Sequence, residues 1–477
     1  MQAVIGGNWE RDGRKPVKMG KFRGVIHEIL VKKNKEKNRL IGSFFIYVFF
    51  TFTYVRCKFA FGMSISKKNF CITNFVLILI GTLFYFFANF HRILVPGTVF
   101  DILEQELHVS APYITTFGAI YMYVYACQQL INGVLVDRFG GFRVMLGGGI
   151  VLAIGSLLFP ISSNLFIMYL SRGLIGLGSS TFYLSIIKEL REVVSDKNFG
   201  MAISVMLFIG YAGGIFANAP FVYAMRYASW REILVVLACI LIIAAVIFAL
   251  ILPTVKLPKI NKSVKFRALP FRLVLHKRHN RNLFSFACCN FAITYTIQTV
   301  IGKKFLEDFC LMPVKNAALV LSGMAIIAAV FNIVNAYVCR LTHNHRVRFL
   351  KNASVITFCS LFLICIALIF NIRTYFIACV FCVLAANASL SSILVPVLHL
   401  TNRKMISGTA VSIMNFCFFT LVGILGTLTG FLLNIFEPIK RGNVTVYTNQ
   451  SYLLVFGLFF ILSVFEMHKA MKLSNKY

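Results

Sequence analysis

The stretch NGVLVDRFGGFR, from Asn132 to Arg143, decides the fold because it places a charged turn between two apolar runs. The flanking runs Ala111–Val136 and Val144–Ile161 each approach the roughly 20 mostly apolar residues that a membrane-spanning helix needs. The charged residues of this turn therefore mark a membrane surface, where a short loop joins two spanning helices.

The composition of the chain supports a membrane protein. The 477 residues are 58% hydrophobic and 13% charged, with a mean hydropathy of +0.80, whereas about 25% of residues are charged in soluble proteins. The net charge of +32 falls in the segments between apolar runs, so it predicts no nucleic-acid partner. The 13 cysteines show no metal-type spacing and are interpreted as small hydrophobic residues, so we expect no metal and no cofactor.

Hydropathy over a window of about 19 residues predicts an all-α polytopic membrane protein with 12 transmembrane helices. The first six predicted spans lie near 71–100, 111–136, 143–161, 165–187, 200–224 and 232–253. The second six lie near 283–302, 314–338, 352–370, 374–400, 406–435 and 451–468.

The two sets of six spans resemble each other. Gly200–Phe208 matches Gly408–Phe416 at Gly, Ala, Ser, Met and Phe, and parallel repeats of this kind build one large class of transporters. Chance similarity of apolar helices is the alternative. The repeat predicts two pseudo-symmetric six-helix bundles, 71–253 and 283–477, joined by a basic cytoplasmic linker, 254–282.

The distribution of Lys and Arg predicts the orientation. With the first span starting in the cytoplasm, the inner segments carry 25 of these residues and the outer segments carry eight. The positive-inside rule then places both termini in the cytoplasm. We expect a multi-pass protein of the plasma (inner) membrane.

The first 70 residues form a basic N-terminal extension. Its short apolar segment, 41–55, lies between two basic flanks and is interpreted as an interfacial helix; a thirteenth span is the alternative. A second alternative is that translation of the functional protein begins at Met63, directly before the first span, and excludes residues 1–62.

The segment Gly133–Gly140, together with Arg143, resembles the signature loop of the major facilitator superfamily, and the resemblance covers roughly residues 71–470. It implies the two-bundle fold of that family and gating roles for Asp137, Arg138 and Arg143. Arg340 occupies the equivalent loop of the second half and is also a predicted gating residue. An ion pair made in one conformation and broken in the other would provide the gate; charges that only set the topology are the alternative.

Within that family, three runs are similar to the anion:cation symporters, a branch that moves organic anions. They are Phe86–Arg92, Leu103–Leu107 and Tyr125–Gln129. The resemblance implies that Arg92, Tyr125 and Gln129 line the substrate cavity. His91 and Ser179 stand where those relatives have carboxylates used for proton coupling, so that feature of the branch is missing.

Two arginines are candidate anchors for an anionic substrate. An Arg at the centre of a spanning helix costs about 2.5 to 3.5 kcal/mol, so it usually faces a cavity and has a function. Arg92 and Arg172 lie about 15 and 10 Å inside the outer ends of their helices, and no acidic residue lies in the first four predicted spans. The planar fork of Arg suits a carboxylate or phosphate. Snorkelling, or bonding to backbone carbonyls, is the alternative.

Further polar residues complete the predicted site. On the second span, Tyr121, Tyr125 and Gln129 share one helix face. His91, beside Arg92, is a candidate for proton coupling or for a packing role. In the second half, Tyr295 and Gln298 fall near the position equivalent to Arg92. There we expect hydroxyls and amides but no charge, which suits the non-ionic end of a substrate, and packing is the alternative.

These residues predict a secondary active transporter that moves a small organic anion, a carboxylate or sugar acid, by alternating access. Coupling to protons or another ion stays open. The alternative is a transporter of a neutral or drug-like solute in which Arg92 is structural. Since no Ser-His or His-Asp constellation appears, we expect no enzyme activity. The expected partners are the small-molecule substrate and the lipid bilayer, and we expect a monomer.

Overall fold

A computed structural model describes residues 72–194, 196–258, 260–261, 269–341, 345–402, 404–441 and 444–474. The predicted N-terminal extension 1–70, its helix at 41–55 and the alternative thirteenth span lie outside the described residues.

The described chain forms twelve apolar helices in two halves, as the sequence predicts. The first half contains Ile72–Ile93 continued by a π-helical turn Leu94–Thr98, Ala111–Phe139, Gly141–Ile161, Leu165–Ser179 continued by Phe182–Val193, Asp196–Phe216 and Trp230–Ile251. The second half contains Arg278–Thr296 continued by Ile297–Ile301 and Gly302–Asp308, Val314–Leu341, Arg346–Ile369, Phe376–Ala388 continued by Ser391–Thr401, Lys404–Leu433 and Asn449–Met471. Eleven of these are long and apolar enough to cross a membrane, and the fifth has a shorter apolar part, Ala202–Phe216. We refer to them as the first to twelfth spans.

Short elements lie between the spans. They are the helices Phe100–Leu107, Ala219–Ala224 and Leu269–His276, a 3-10 turn Leu252–Thr254, and an antiparallel hairpin of β1 (Ile439–Arg441) and β2 (Val444–Val446). The hairpin and Phe100–Leu107 lie at the end of the molecule opposite to Asn132–Arg143. We call these two ends the opposite end and the signature-loop end.

Side chains on the outside of the spans are large and apolar. Phe166, Leu250 and Ile333 each leave more than two thirds of their surface uncovered, which would be unfavourable in water. Polar side chains such as Asn132, Asn290 and Thr357 are instead buried between helices. The arrangement matches a bundle whose outer surface faces lipid tails and whose polar groups face inward.

The two halves approach each other closely at the opposite end. A Cβ atom added at Gly97, in the first span, would lie 2.8 Å from the carbonyl oxygen of Thr299 in the seventh span. Only glycine therefore allows this backbone-to-backbone contact. The second and eleventh spans also pack across the halves, where the Tyr123 hydroxyl lies 3.2 Å from the hydroxyl of Thr427.

The first span is interrupted just before this contact. Val95 has a non-helical backbone, with φ −118° and ψ 121°, and the next residue, Pro96, has no N–H to donate. Backbone carbonyls released by such a break must find donors elsewhere in the protein, because lipid offers none. Arg172 donates hydrogen bonds to two carbonyls at this interruption, those of His91 and Val95.

Candidate functional site

A cavity of about 430 Å³ lies between the two halves, within the size range of small-molecule sites. Its lining runs from Arg92 and Gln298, near the opposite end, to Val395 and Val411 in the signature-loop parts of the tenth and eleventh spans. Amides and phenols supply much of its polar surface, namely Asn89, Asn290, Gln298, Asn332 and Asn415 with Tyr85, Tyr125, Tyr183, Tyr211 and Tyr295.

Arg92 lies at the closed end of this cavity on a platform of aromatic rings. Its guanidinium carbon is 4.5 Å from the ring centre of Tyr125 and 5.1 Å from that of Phe419. Its Nε donates a hydrogen bond of 3.3 Å to the hydroxyl of Tyr121. Tyr125 comes from the first half and Phe419 from the second, so the cation is held at the junction of the two halves.

The charge of Arg92 is not neutralised by the surrounding side chains. Arg92 is the one charged residue among the described residues that line the cavity, and no described carboxylate forms an ion pair with it. Its Nη2 group is buried and has no hydrogen-bond partner in the described chain. The aromatic rings offset part of the cost of burying this charge, and the Nη2 group remains available as a hydrogen-bond donor.

Arg172 has a different environment. It is fully buried, and its Nε, Nη1 and Nη2 donate to the backbone carbonyls of Phe117, His91 and Val95 at 3.1, 3.0 and 3.0 Å. Two of these carbonyls belong to the interrupted part of the first span. Contrary to the prediction, Arg172 does not line the cavity, because its guanidinium is buried and bonded to three backbone carbonyls, two of them in the interrupted part of the first span.

Replacement of Arg172 by alanine is expected to destabilise the fold. It would remove three buried hydrogen bonds from a charged donor, each worth about 1.5 to 3 kcal/mol, so the melting temperature of the detergent-purified protein should fall clearly. Arg172→Lys should recover only part of the loss, because an ammonium cannot reach three carbonyls in fork geometry. An Arg172→Ala protein that melts like the wild type would contradict this structural role.

Three predicted substrate contacts, Tyr125, Tyr295 and Gln298, line the cavity together with Arg92. The ring of Tyr295 stacks on Phe291 at 4.8 Å. Gln298 lies on the π-helical turn of the seventh span, beside the contact that closes the opposite end. The structure therefore brings predicted residues from both halves to one site.

The remaining predicted contacts lie behind this surface. Tyr121 donates to the Ala88 carbonyl at 3.3 Å, and the guanidinium carbons of Arg92 and Arg172 lie 5.9 and 5.0 Å from its ring centre. Gln129 donates to the Ser180 carbonyl at 3.4 Å. His91 is buried and both of its ring nitrogens lack hydrogen-bond partners in the described chain. These three residues do not line the cavity. They pack behind the residues that do.

The signature loop is held together differently from the predicted Asp–Arg latch. Asp137 pairs with Lys188 of the fourth span at 3.0 Å, and its side chain is 66% exposed, so the pair contributes only about 0 to 1 kcal/mol. Arg143 donates instead to the carbonyls of Phe139 and Pro258, at 2.9 and 2.8 Å. These contacts lie within the first half and its linker, and among the described residues they do not reach the second half.

The linker lies directly on the signature loop. The backbone N–H of Asn261 donates to the carbonyl of Arg138 at 2.9 Å. Gly140 has φ +86°, and a Cβ there would lie 2.9 Å from the ring of Pro258, so both its backbone and its neighbour require glycine. The side chain of Arg340, the predicted counterpart in the second half, lies outside the described part of the structure.

The opposite end carries an ion network that joins the halves. Lys304 of the seventh span pairs with Asp101 of the first half at 2.6 Å and with Asp308 at 3.0 Å. Lys303 pairs with Glu307 at 2.9 Å and with Asp101 at 3.5 Å. All five side chains are at most 15% exposed. Removing one partner of such a buried network is strongly destabilising, so the network stabilises closure at this end.

The hairpin caps this network. The Tyr447 hydroxyl donates a short hydrogen bond to Glu104, and its backbone N–H donates to Asp308 at 3.0 Å. Burial raises the pKa of Glu104, although the Tyr447 bond and Lys304 act in the other direction. Burial would also raise the pKa of Asp101, but Lys304 and Lys303 outweigh it and hold that pKa below its usual value. The contribution of Asp101 to closure is therefore present at neutral pH and lost only as the pH falls through its lowered pKa.

Hydropathy and motifs did not predict this network, although the sequence contains charged residues at equivalent positions of the two halves that indicate it. Asp101, Glu104 and Glu106 follow the first predicted span, 71–100, and the second half has an equivalent charged group after its first predicted span, 283–302, namely Lys303, Lys304, Glu307 and Asp308. Spans in equivalent positions of two pseudo-symmetric halves meet near the axis, so opposite charges at both positions predict a contact between the halves.

Together, the fold and the cavity define a polytopic membrane protein with a solute-sized site between two helical bundles. The profile of the Major Facilitator Superfamily matches residues 77–427. The chain belongs to this superfamily.

Individual relatives are distant. The chain is 18% identical over 168 residues to a protein named probable sulfoacetate transporter SauU from Cupriavidus necator, a match covering 35% of this chain and 39% of the relative. It is 27% identical over 179 residues to solute carrier family 2, facilitated glucose transporter member 10, of Xenopus tropicalis, a match covering 35% of this chain and 30% of the relative. These matches therefore span less than half of each relative's length.

Solved structures resemble nearly the whole described fold. A bacterial homolog of the human lysosomal transporter Spinster, inward-facing and unoccupied, matches with a TM-score of 0.65 and 15% identity, covering 85% of this chain and 98% of its own. A D-xylose-proton symporter matches with a TM-score of 0.62 and 13% identity, covering 82% and 97%. At these identities the likeness establishes the fold alone.

Proposed function

We propose that the protein is a secondary active transporter that moves a small organic anion, a carboxylate or sugar acid, by alternating access. The observation that carries the proposal is Arg92, a buried and unneutralised cation at the closed end of a cavity between the two halves. Its free Nη2 and its planar fork match a carboxylate or a similar oxyanion. A bound anion would supply the negative charge that no described side chain provides to Arg92.

The rest of the cavity suits the non-ionic part of such a substrate. Asn290, Asn415 and Gln298 offer amide donors and acceptors, and Phe291 and Phe418 offer apolar surface. A sugar acid combines a carboxylate with hydroxyls and therefore fits both ends of the site. The name of the sulfoacetate transporter and the resemblance to the anion:cation symporter branch support an anionic substrate.

The second candidate is a neutral solute, and one observation favours it. Amides and phenols outnumber the single charge among the described lining residues, and the names of two relatives refer to glucose and xylose. In this alternative Arg92 would be structural, held by the rings of Tyr125 and Phe419. The free Nη2 of Arg92 favours the anion.

Alternating access gives the two ends of the molecule different roles. The opposite end is closed by the ion network, and the cavity lining extends toward the signature-loop end. We propose that this end faces the cytoplasm with both termini, as the positive-inside rule indicates, and that the protein works as a monomer in the plasma membrane. The signature loop would then form its contacts between halves in the conformation that closes the cytoplasmic side.

A thermal-shift panel on the detergent-purified protein tests the substrate class. The panel compares acetate, lactate, gluconate, glucuronate and sulfoacetate with glucose and xylose at equal concentration. A ligand at 100 times its Kd stabilises the protein by about 2.7 kcal/mol, so at least one anion should raise the melting temperature while the neutral sugars do not. Stabilisation by the sugars alone would favour the second candidate.

A further inference from the structure

A fully buried carboxylic acid lies in the second half. The prediction that this half offers hydroxyls and amides but no charge is therefore wrong at this position. Glu466 is on the twelfth span and is 0% exposed. It lies five residues before the end of that helix at Met471, which corresponds to about 7.5 Å along the axis. The carboxyl group is therefore inside the bundle, in the part nearest to the signature-loop end.

The partners of Glu466 are uncharged and connect it to the cavity. Its Oε1 accepts a hydrogen bond of 3.0 Å from Nδ2 of Asn290, a residue that lines the cavity. The same Nδ2 donates to the hydroxyl of Thr357 at 2.9 Å, and Asn387 donates to that hydroxyl at 2.8 Å. Oε2 is buried and has no hydrogen-bond partner in the described chain.

No described cation neutralises Glu466. The helices packed against it are the seventh, ninth and eleventh spans, and the tenth contributes Asn387. Cys289 of the seventh span interacts electrostatically with Glu466. Lys351 is six residues before Thr357, about 9 Å along the ninth span, and Lys469 on the same helix as Glu466 lies over the ring of Phe465 at 5.0 Å. The other described titratable residues of these four spans are Arg278, His279, Arg281, Cys288, Tyr295, Lys303, Lys304, Glu307, Asp308, Arg346, Arg348, Cys359, Cys365, Cys379, Cys382, His399 and Cys417, and the twelfth span itself also carries Tyr452 and His468.

These contacts determine the protonation state. Glu466 interacts with the neutral Asn290 amide and Thr357 hydroxyl, and its Oε2 has no partner in the described chain. A buried carboxylate in such surroundings is unfavourable, and groups of this kind take up a proton instead. Oε2 is the atom that can hold it, because Oε1 is already used as an acceptor. This geometry favours the protonated form of Glu466 in the conformation that is closed at the opposite end.

We propose that Glu466 is a proton-binding site that couples the transport cycle to a proton gradient, with Asn290 as the positioning residue that links it to the cavity. The step is a simple acid–base equilibrium in which the carboxylate and one H⁺ form the O–H bond at Oε2. Loss of the proton in the other conformation requires water or a charge-compensating group to reach the carboxylate. A substrate that engages the Asn290 amide would weaken its bond to Glu466 and change the proton affinity.

The proposal deepens the proposed function, because coupling requires transport, but protonation of Glu466 can be measured without any substrate. Infrared titration of the purified protein should show a protonated carboxyl band at neutral pH that disappears in Glu466→Gln. The matched control, Glu437→Gln, removes an exposed carboxyl and should leave the band. Asn290→Ala should shift the pH midpoint of the band. If Glu466→Gln does not fold, Glu466→Asp should move the frequency of the band, and an unchanged band in either variant overturns the proposal.

Transport of labelled sulfoacetate into proteoliposomes tests the coupling. A gradient of one pH unit, acid outside, can drive up to about tenfold accumulation with one coupled proton. Glu466→Gln should lose this accumulation yet retain sulfoacetate exchange at equal pH. Gradient-driven accumulation that survives in Glu466→Gln overturns the coupling role. A wild-type protein that carries no sulfoacetate counts against the proposed function for this anion, and the infrared titration still decides the protonation of Glu466.

Discussion

Alanine in place of Arg92 is expected to abolish binding and uptake of the anion while leaving the protein at least as stable as the wild type. A bidentate pair contains two charge-assisted hydrogen bonds, each worth about 1.5 to 3 kcal/mol. Loss of both should weaken anion binding by at least a factor of about 100. The measurements are the thermal shift produced by the responding anion of the panel and the uptake of that anion into proteoliposomes.

The stability part of this prediction follows from the missing partner of Arg92. Within the described chain the guanidinium interacts with the neutral phenols of Tyr121, Tyr125 and Tyr295 and has no ion pair, so its removal relieves an unfavourable buried charge. Sites built for binding often carry such destabilising groups. Arg92→Ala should therefore melt at or above the wild-type temperature without ligand, in contrast to Arg172→Ala.

Arg92→Lys is the matched control, because it keeps the charge and removes the fork. Lysine offers a point charge with rotatable donors, so we expect intermediate affinity and a smaller thermal shift. A full anion response in Arg92→Ala would remove the anchor role and favour the neutral solute. A loss of stability as large as that of Arg172→Ala would instead show that Arg92 is structural.

The comparison of these two arginines shows what the sequence could determine about the site. Residue type and depth predicted that both could reach the cavity, and a family resemblance further supported Arg92, but neither indicated that Arg172 has another role. The difference arises from Val95 and Pro96, which interrupt the first span and release carbonyls that Arg172 satisfies. Proline in a predicted span was the available clue, but the helix that supplies the missing donors depends on packing between distant segments.

The fold was easier to predict from the sequence than the site, because the length and apolarity of a span are local properties. Predicted spans such as 111–136 and 314–338 agree with Ala111–Phe139 and Val314–Leu341 within a few residues. Hydrogen bonds and ion pairs between helices could not be predicted in this way. Glu466 meets Asn290 across 176 positions of sequence, and Asp101 meets Lys304 across a similar distance. Such contacts depend on the arrangement of the halves, to which hydropathy is insensitive.

The second large effect is expected from Lys304→Ala, which should open the opposite end. Lys304 is 1% exposed and pairs with Asp101 and Asp308, so its removal leaves two buried carboxylates without their shared cation. Breaking a buried pair in this way costs about 3 to 5 kcal/mol. Asp101 belongs to the first half and Lys304 to the second, so the cost falls on the conformation that is closed at this end. The closed population should fall by a factor of about 100 or more relative to the open one.

Hydrogen exchange measured by mass spectrometry reports this change directly, because the backbone amides of Phe100–Leu107 and Gly302–Asp308 should exchange faster once the two halves separate. Arg231→Ala is the matched control. It removes an ion pair of 2.6 Å with Glu106 at the same end of the molecule, but both partners belong to the first half. This variant should speed exchange near Glu106 and leave Gly302–Asp308 protected. Unchanged exchange on both segments in Lys304→Ala would mean that backbone packing at Gly97 and Thr299, rather than the ion network, keeps this end closed.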